Sequence, residues 1–175
     1  MRPWFICLGM LLLTACAEMQ TPPDLAQRLG PPLQGYSAEG RISLRQGERS
    51  DHLKFRWEHT RDSDTVLLMS PLGQGLAELT RDTTGARLRQ PNQALIEADN
   101  LPQLAQRVFG APLPLEAMAE WMRGAKPSLS GEIDGWQVLI SDTLPYRQSR
   151  LLRVMEASRG DVEFKLIVDE WDEPK

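Results

Sequence analysis

Few residues in this chain are equipped for chemistry, and Cys16 comes first among them. It closes Leu13-Thr14-Ala15-Cys16, which reads as a lipobox. A cysteine thiolate is a nucleophile able to take a diacylglycerol group, and the small Thr14 and Ala15 let a signal peptidase reach the bond before it. Ahead of it lie Arg2 and the apolar run from Trp4 to Leu13. That run has the length of a signal-peptide core and falls short of the roughly 20 residues a spanning helix needs. The expectation is a cleaved signal over 1–15 and a lipid on Cys16. The only other cysteine, Cys7, would leave with the signal, so no internal disulfide could form and acylation would remove the last free thiol.

The remaining candidates for chemistry fall away in turn. The two histidines, His52 and His59, bring no second pair of metal ligands and both read as surface residues, so no metal is expected. Thiol catalysis has no cysteine to use, and no serine sits in a Gly-x-Ser-x-Gly elbow. Gly73-Gln74-Gly75 lacks the lysine and following helix of a phosphate loop. Asp169, Glu170, Asp172 and Glu173 read as a solvated acidic tail. The chain is therefore expected not to be an enzyme and to need no cofactor. A net charge of −4 without a basic cluster argues against nucleic acid and against attachment through anionic head groups. No apolar run after Cys16 is long enough to span a bilayer.

Two oddities remain. Trp57, Trp121, Trp136 and Trp171 are four large rings in a domain with few other aromatics; they could fill a core or line an apolar pocket. Ser70-Pro71-Leu72-Gly73-Gln74-Gly75 has the Pro and Gly of a turn, yet carries Leu72 at its tip. One exposed leucine is commonplace on its own.

The elements that must position these residues follow from periodicity. Residues 16–23 read as a lipidated N-terminus and polar tether, with a single domain over 24–175. Asp24 caps a short expected helix over 25–29. From there the period is two: Ile42 and Leu44, then Leu53, Phe55 and Trp57, alternate with polar residues across a turn at Gln46-Gly47-Glu48. Val66–Met69, Leu76–Thr80 and Ala86–Leu88 continue the strands. Residues 101–109 switch to helical spacing, and Pro114 opens a second helix with Leu115, Met118 and Trp121 or Met122 on its apolar stripe and Gly124 as its stop. Strands return around Trp136, Val138 and Ile140, then Leu151–Met155, then Val162, Phe164, Leu166 and Val168, the last two joined by a turn at 158–160. Such a sheet must cover its apolar face by closing on itself or by packing under helices. The expected fold is mainly β with inserted helices: a half-closed antiparallel barrel under a helical lid, a form able to enclose a cavity.

The chain carries, in order, Gly40-Arg41-Ile42, Phe55-Arg56-Trp57, Leu68-Met69-Ser70-Pro71-Leu72-Gly73, Gly110-Ala111-Pro112-Leu113-Pro114-Leu115, Trp121-Met122-Arg123-Gly124, Gly135-Trp136-Gln137-Val138 and Leu166-Ile167-Val168-Asp169-Glu170-Trp171. In this order of short signatures it resembles the LolB family of outer-membrane lipoprotein receptors. Residues 141–150 match only loosely. The resemblance implies a hydrophobic cavity for acyl chains beneath the lid, with Phe55, Trp57, Leu68, Trp121, Trp136 and Phe164 as its wall or support. It also implies that Pro71, Leu72 and Gly73 protrude and that Leu72 enters the membrane. Acylated lipoproteins would come from a LolA-like periplasmic carrier and pass to outer-membrane lipid, with the receptor acting as a monomer. Ala17, rather than aspartate, after Cys16 fits the outer membrane. The alternative is an envelope assembly lipoprotein that binds a protein partner.

Overall fold

The computed structural model describes residues 32–109, 114–124, 129–146 and 149–173. The expected signal, Cys16, the tether and the helix over 25–29 lie outside the described residues. Strands β1 (Tyr36–Gln46), β2 (Arg49–His59), β3 (Asp64–Met69), β4 (Gly75–Asp82), β5 (Gly85–Arg89) and β6 (Ile96–Ala98) precede two helices, α1 (Leu101–Phe109) and α2 (Leu115–Met122). Four strands follow: β7 (Ser130–Ile133), β8 (Trp136–Tyr146), β9 (Ser149–Arg159) and β10 (Val162–Asp172).

All ten strands form one sheet in the order β6-β5-β4-β3-β2-β1-β10-β9-β8-β7. Neighbours pair antiparallel throughout, as at Phe55 opposite Leu68 and Ile42 opposite Leu166. Strict alternation decides which face is covered. On β2, Phe55, Trp57 and His59 are buried while Lys54 and Arg56 are exposed; on β10, Phe164, Leu166 and Val168 are buried. A one-residue slip would turn every one of these to water. Short hairpin turns connect the strands on either side of the helices, but the chain passes from edge strand β6 to the opposite edge strand β7 through α1 and α2. The helices thus lie in the one connection that must cross the sheet, with α1 against β5 and β6 and α2 against β9. None of the described helices is long and apolar enough to cross a membrane.

The core has two parts. The larger joins the inner faces of β1, β2, β8, β9 and β10 to α2; the smaller joins β4 and β5 to α1, and Val66, Leu68 and Leu115 pack against both. Gly40 is required where β1 meets β10. The register shifts beside it, and a Cβ there would lie 2.0 Å from the Ile167 carbonyl oxygen.

The mainly β, antiparallel architecture with two inserted helices agrees with the sequence, and the sheet does not close on itself. One expectation changes. His59 is not a surface residue: it ends β2 on the inner face, 6% exposed, where Asp64 supplies a buried partner. His52, on the same strand, is exposed. Asp169, Glu170, Asp172 and Glu173 are exposed, in keeping with a solvated end; the first three belong to β10, and Asp169 pairs with Arg41 across to β1. Edge strands β6 and β7, three and four residues long, were too short to leave a periodic signal.

Candidate functional site

Two features beside β3, the loop at its end and a pocket along its inner face, carry the candidate function. The first is the link from β3 to β4. Ser70 accepts from the Gly73 N–H at 2.9 Å, and its own N–H donates to Gln74 at 2.8 Å. This is a four-residue turn with Pro71 second, where its fixed φ is already suitable. Gly73 takes φ 88°, a left-handed conformation that costs glycine nothing. The Ser70 hydroxyl accepts from the Gln74 N–H at 3.2 Å, tying the base of the loop. Backbone and side chain together hold the turn, so Leu72 has nothing to pack against and is 91% exposed. Pro71 and Gly73 are exposed beside it.

The second feature lies inside, between the sheet and both helices. A pocket of about 90 Å³ is walled by hydrocarbon, with Asp64 as its one charged neighbour. Among the residues named from the sequence, Trp57, Leu68 and Phe164 stand on its wall. Phe55, Trp121 and Trp136 do not; each is at most 3% exposed and lies within the larger core cluster. Sequence reasoning missed much of the wall: Ile42, Leu44 and Leu53 from the first hairpin, and Leu101, Leu115 and Met118 from the helices. Strand alternation and the helical stripe contained that information, because each of these residues sits on an apolar position of its element. Trp171, also named as an oddity, is buried and donates from Nε1 to the Leu152 carbonyl at 3.0 Å.

Asp64 closes one end of the pocket. Its Oδ1 accepts from Trp57 Nε1 at 2.8 Å and contacts His59 Nδ1 at 2.7 Å, and its Oδ2 accepts from Arg81 Nε at 2.7 Å. Burial alone would raise the Asp64 pKa, but the hydrogen bonds from His59, Trp57 and Arg81 outweigh it and hold the carboxyl below its usual range. Tyr36 stacks on His59 with ring centroids 5.0 Å apart and meets Trp57 and Trp171 edge-on. Burial, then the nearby Asp64 charge, pushes the Tyr36 phenol well above its ordinary value. It therefore stays protonated and donates to Met122 Sδ on α2 at 3.8 Å. Every buried polar side chain described here has a partner. The described residues contain no group of acidic, histidine and cysteine side chains able to hold a metal ion.

Comparison with known proteins adds a family. Residues 34–171 match the family model for outer membrane lipoprotein LolB. The chain is similar to the outer-membrane lipoprotein LolB of Nitrosomonas europaea, at 36% identity over 75% of this chain and 70% of that protein. It is similar to that of an Azoarcus species at 33% identity over 95% of this chain and 92% of the relative. Among solved structures, a LolA superfamily protein from Nitrosomonas europaea shares the fold with a TM-score of 0.56, at 8% identity, over 86% of this chain and 90% of that one.

Proposed function

Because the chain belongs to the outer membrane lipoprotein LolB family, we propose that it receives acylated lipoproteins from a LolA-like periplasmic carrier and inserts them into the outer membrane. In this reading Cys16 carries the anchoring lipid, the pocket between sheet and helices takes acyl chains, and Leu72 enters the bilayer at delivery. The observation that carries it is an interior pocket whose wall is almost wholly hydrocarbon. Each CH₂ taken out of water is worth about 0.8 kcal/mol, so acyl chains need such a host whenever they are away from a membrane. The pocket, about 90 Å³, is well below the roughly 300–1,000 Å³ of ordinary ligand sites. Loading therefore requires the helices to move away from the sheet. The alternative, an assembly module that pairs through an edge strand, finds little to pair with in β6 and β7, which are three and four residues long.

The test is Leu72→Glu in the full chain. The side chain is almost fully solvated, so folding and cargo uptake should be unchanged. Losing a leucine's burial, about 1.5–3 kcal/mol, should slow cargo insertion into liposomes by roughly 10- to 150-fold. Insertion at the wild-type rate would remove the loop from the mechanism. Failure of the unmodified protein to take up acylated cargo would end the reading altogether.

A further inference from the structure

The two ends of the pocket are built differently, and the difference gives the site a direction. At one end stand Asp64, His59 and Arg81, all on the side of the sheet where β2 turns into β3 and β4 into β5. A polar cleft of about 560 Å³ lies beyond them, and Asp64 is the one residue that lines both cleft and pocket. A hydrocarbon chain arriving from that side would have to part a buried carboxylate from its three donors.

The other end is open. A second cleft, of about 440 Å³, shares Leu44, Leu53 and Leu68 with the pocket and continues outward to Leu76, Val108 and Val162. Its charged rim residues, Arg49 and Asp51, neutralise one another at 2.9 Å. Topology fixes where this cleft lies. The β1–β2 turn, the β9–β10 turn, the start of β4 and the end of α1 contribute to it, and the β3–β4 loop carrying Leu72 is at the same end of the strands. Leu76, 40% exposed, is both a lip of the cleft and the second residue of the strand that leaves the loop.

We propose that acyl chains enter through this cleft methyl ends first and leave by it alone, so that while bound their polar linkage rests between Leu76, Val108 and Val162 and the chains lie against Trp57, Leu101 and Met118. This rests on the acyl-carrying reading above and adds its route. A loop dipped into the bilayer then brings the mouth of the pocket to the same surface, and the chains pass into lipid without crossing water. The polar network of Asp64 acts as the stop at the far end.

Photolabelling tests the route with the full, lipidated chain in phosphatidylethanolamine–phosphatidylglycerol vesicles. Palmitic acid carrying a diazirine beside its carboxyl, or beside its methyl end, is photolysed and the labelled peptides are mapped. The near-carboxyl probe should mark Leu76, Val108 or Val162, and the methyl-end probe Leu101 or Met118, both suppressed by excess palmitate. Near-carboxyl labelling of Asp64, Arg81 or Glu116 would overturn the route while leaving the acyl pocket standing. Absence of competed labelling inside the domain by either probe would remove pocket and route together. Leu76→Glu, a charge on the lip, should cut interior labelling about tenfold. Thr84→Glu, on the exposed turn at the opposite end, should leave it unchanged. Equal labelling in all three proteins would also overturn the route.

Discussion

Replacing Asp64 by asparagine changes almost no volume and removes one charge from a side chain that is 2% exposed. The carboxylate accepts from Trp57 at 2.8 Å and from Arg81 at 2.7 Å, and meets His59 at 2.7 Å. An amide has one acceptor oxygen, so its NH₂ must point at a donor on one side or the other. Hydrogen bonds to charged groups are worth about 1.5–3 kcal/mol each, and removing one partner of a buried pair costs about 3–5 kcal/mol. Arg81 keeps 24% of its side chain exposed and can turn toward water. The lower limit, about 3 kcal/mol, is therefore expected. For a domain of this size that is a fall in Tm of about 6–12 °C. Urea titration followed by tryptophan fluorescence should show a lower midpoint at an unchanged slope.

The pH dependence sharpens the test. Burial acts to raise the Asp64 pKa, yet the bonds from His59, Trp57 and Arg81 leave it lowered. A carboxyl whose folded pKa is depressed contributes stability that is fully present above its unfolded value, about 3.9, and lost as pH falls through the folded one. The gap between wild type and Asp64→Asn should thus close as the pH falls below about 4. A gap under about 1 kcal/mol at pH 7, or one that persists undiminished in acid, would refute the charge argument.

Two further outcomes follow from close contacts. Gly40→Ala would push a Cβ to 2.0 Å from the Ile167 carbonyl oxygen and 2.9 Å from the Phe55 ring, in the middle of the β1–β10 pairing. Since backbone must move to admit it, a loss of at least about 3 kcal/mol is expected in equilibrium unfolding, and a loss under 1 kcal/mol would show that the strand shift is easy. Trp171→Phe keeps most of the ring but strands the Leu152 carbonyl, which now accepts at 3.0 Å. It should cost about 1–3 kcal/mol by the same measurement, with no change in cargo uptake.

The sequence carried the inner face of the sheet well because burial alternates so strictly along β1, β2 and β10. Both helices were legible too, α1 from its spacing and α2 from Pro114 and Gly124, which the structure places at its two ends. His59 was misread because alternation reveals that a residue faces inward but not that a partner waits there; Asp64 lies five residues away across a hairpin. The pocket wall was under-named for a related reason. Tryptophans attract notice by size, while Leu101, Leu115 and Met118 look like ordinary helix stripe until a sheet is laid beneath them. The exposure of Leu72 could be suspected from its place between Pro71 and Gly73, and only the hydrogen-bonded turn makes it unavoidable.

A small resting pocket also bears on why cargo would be released. A saturated chain of sixteen carbons brings roughly 12 kcal/mol of burial at about 0.8 kcal/mol per CH₂, and a bilayer offers all of it. A pocket that must first be opened offers less. Leu101 and Met118 are 1% and 2% exposed. Parting them from Trp57, Val66 and Leu79 gives up contacts worth about 1.5–3 kcal/mol for each side chain fully uncovered. On the proposed reading, that loss is returned when the chains leave and the helices settle back on the sheet. The bilayer then wins by the closing of the pocket, and the step needs no other source of free energy. The same reasoning sets a limit on the helices: tighter packing of α1 and α2 would speed release but weaken uptake in equal measure.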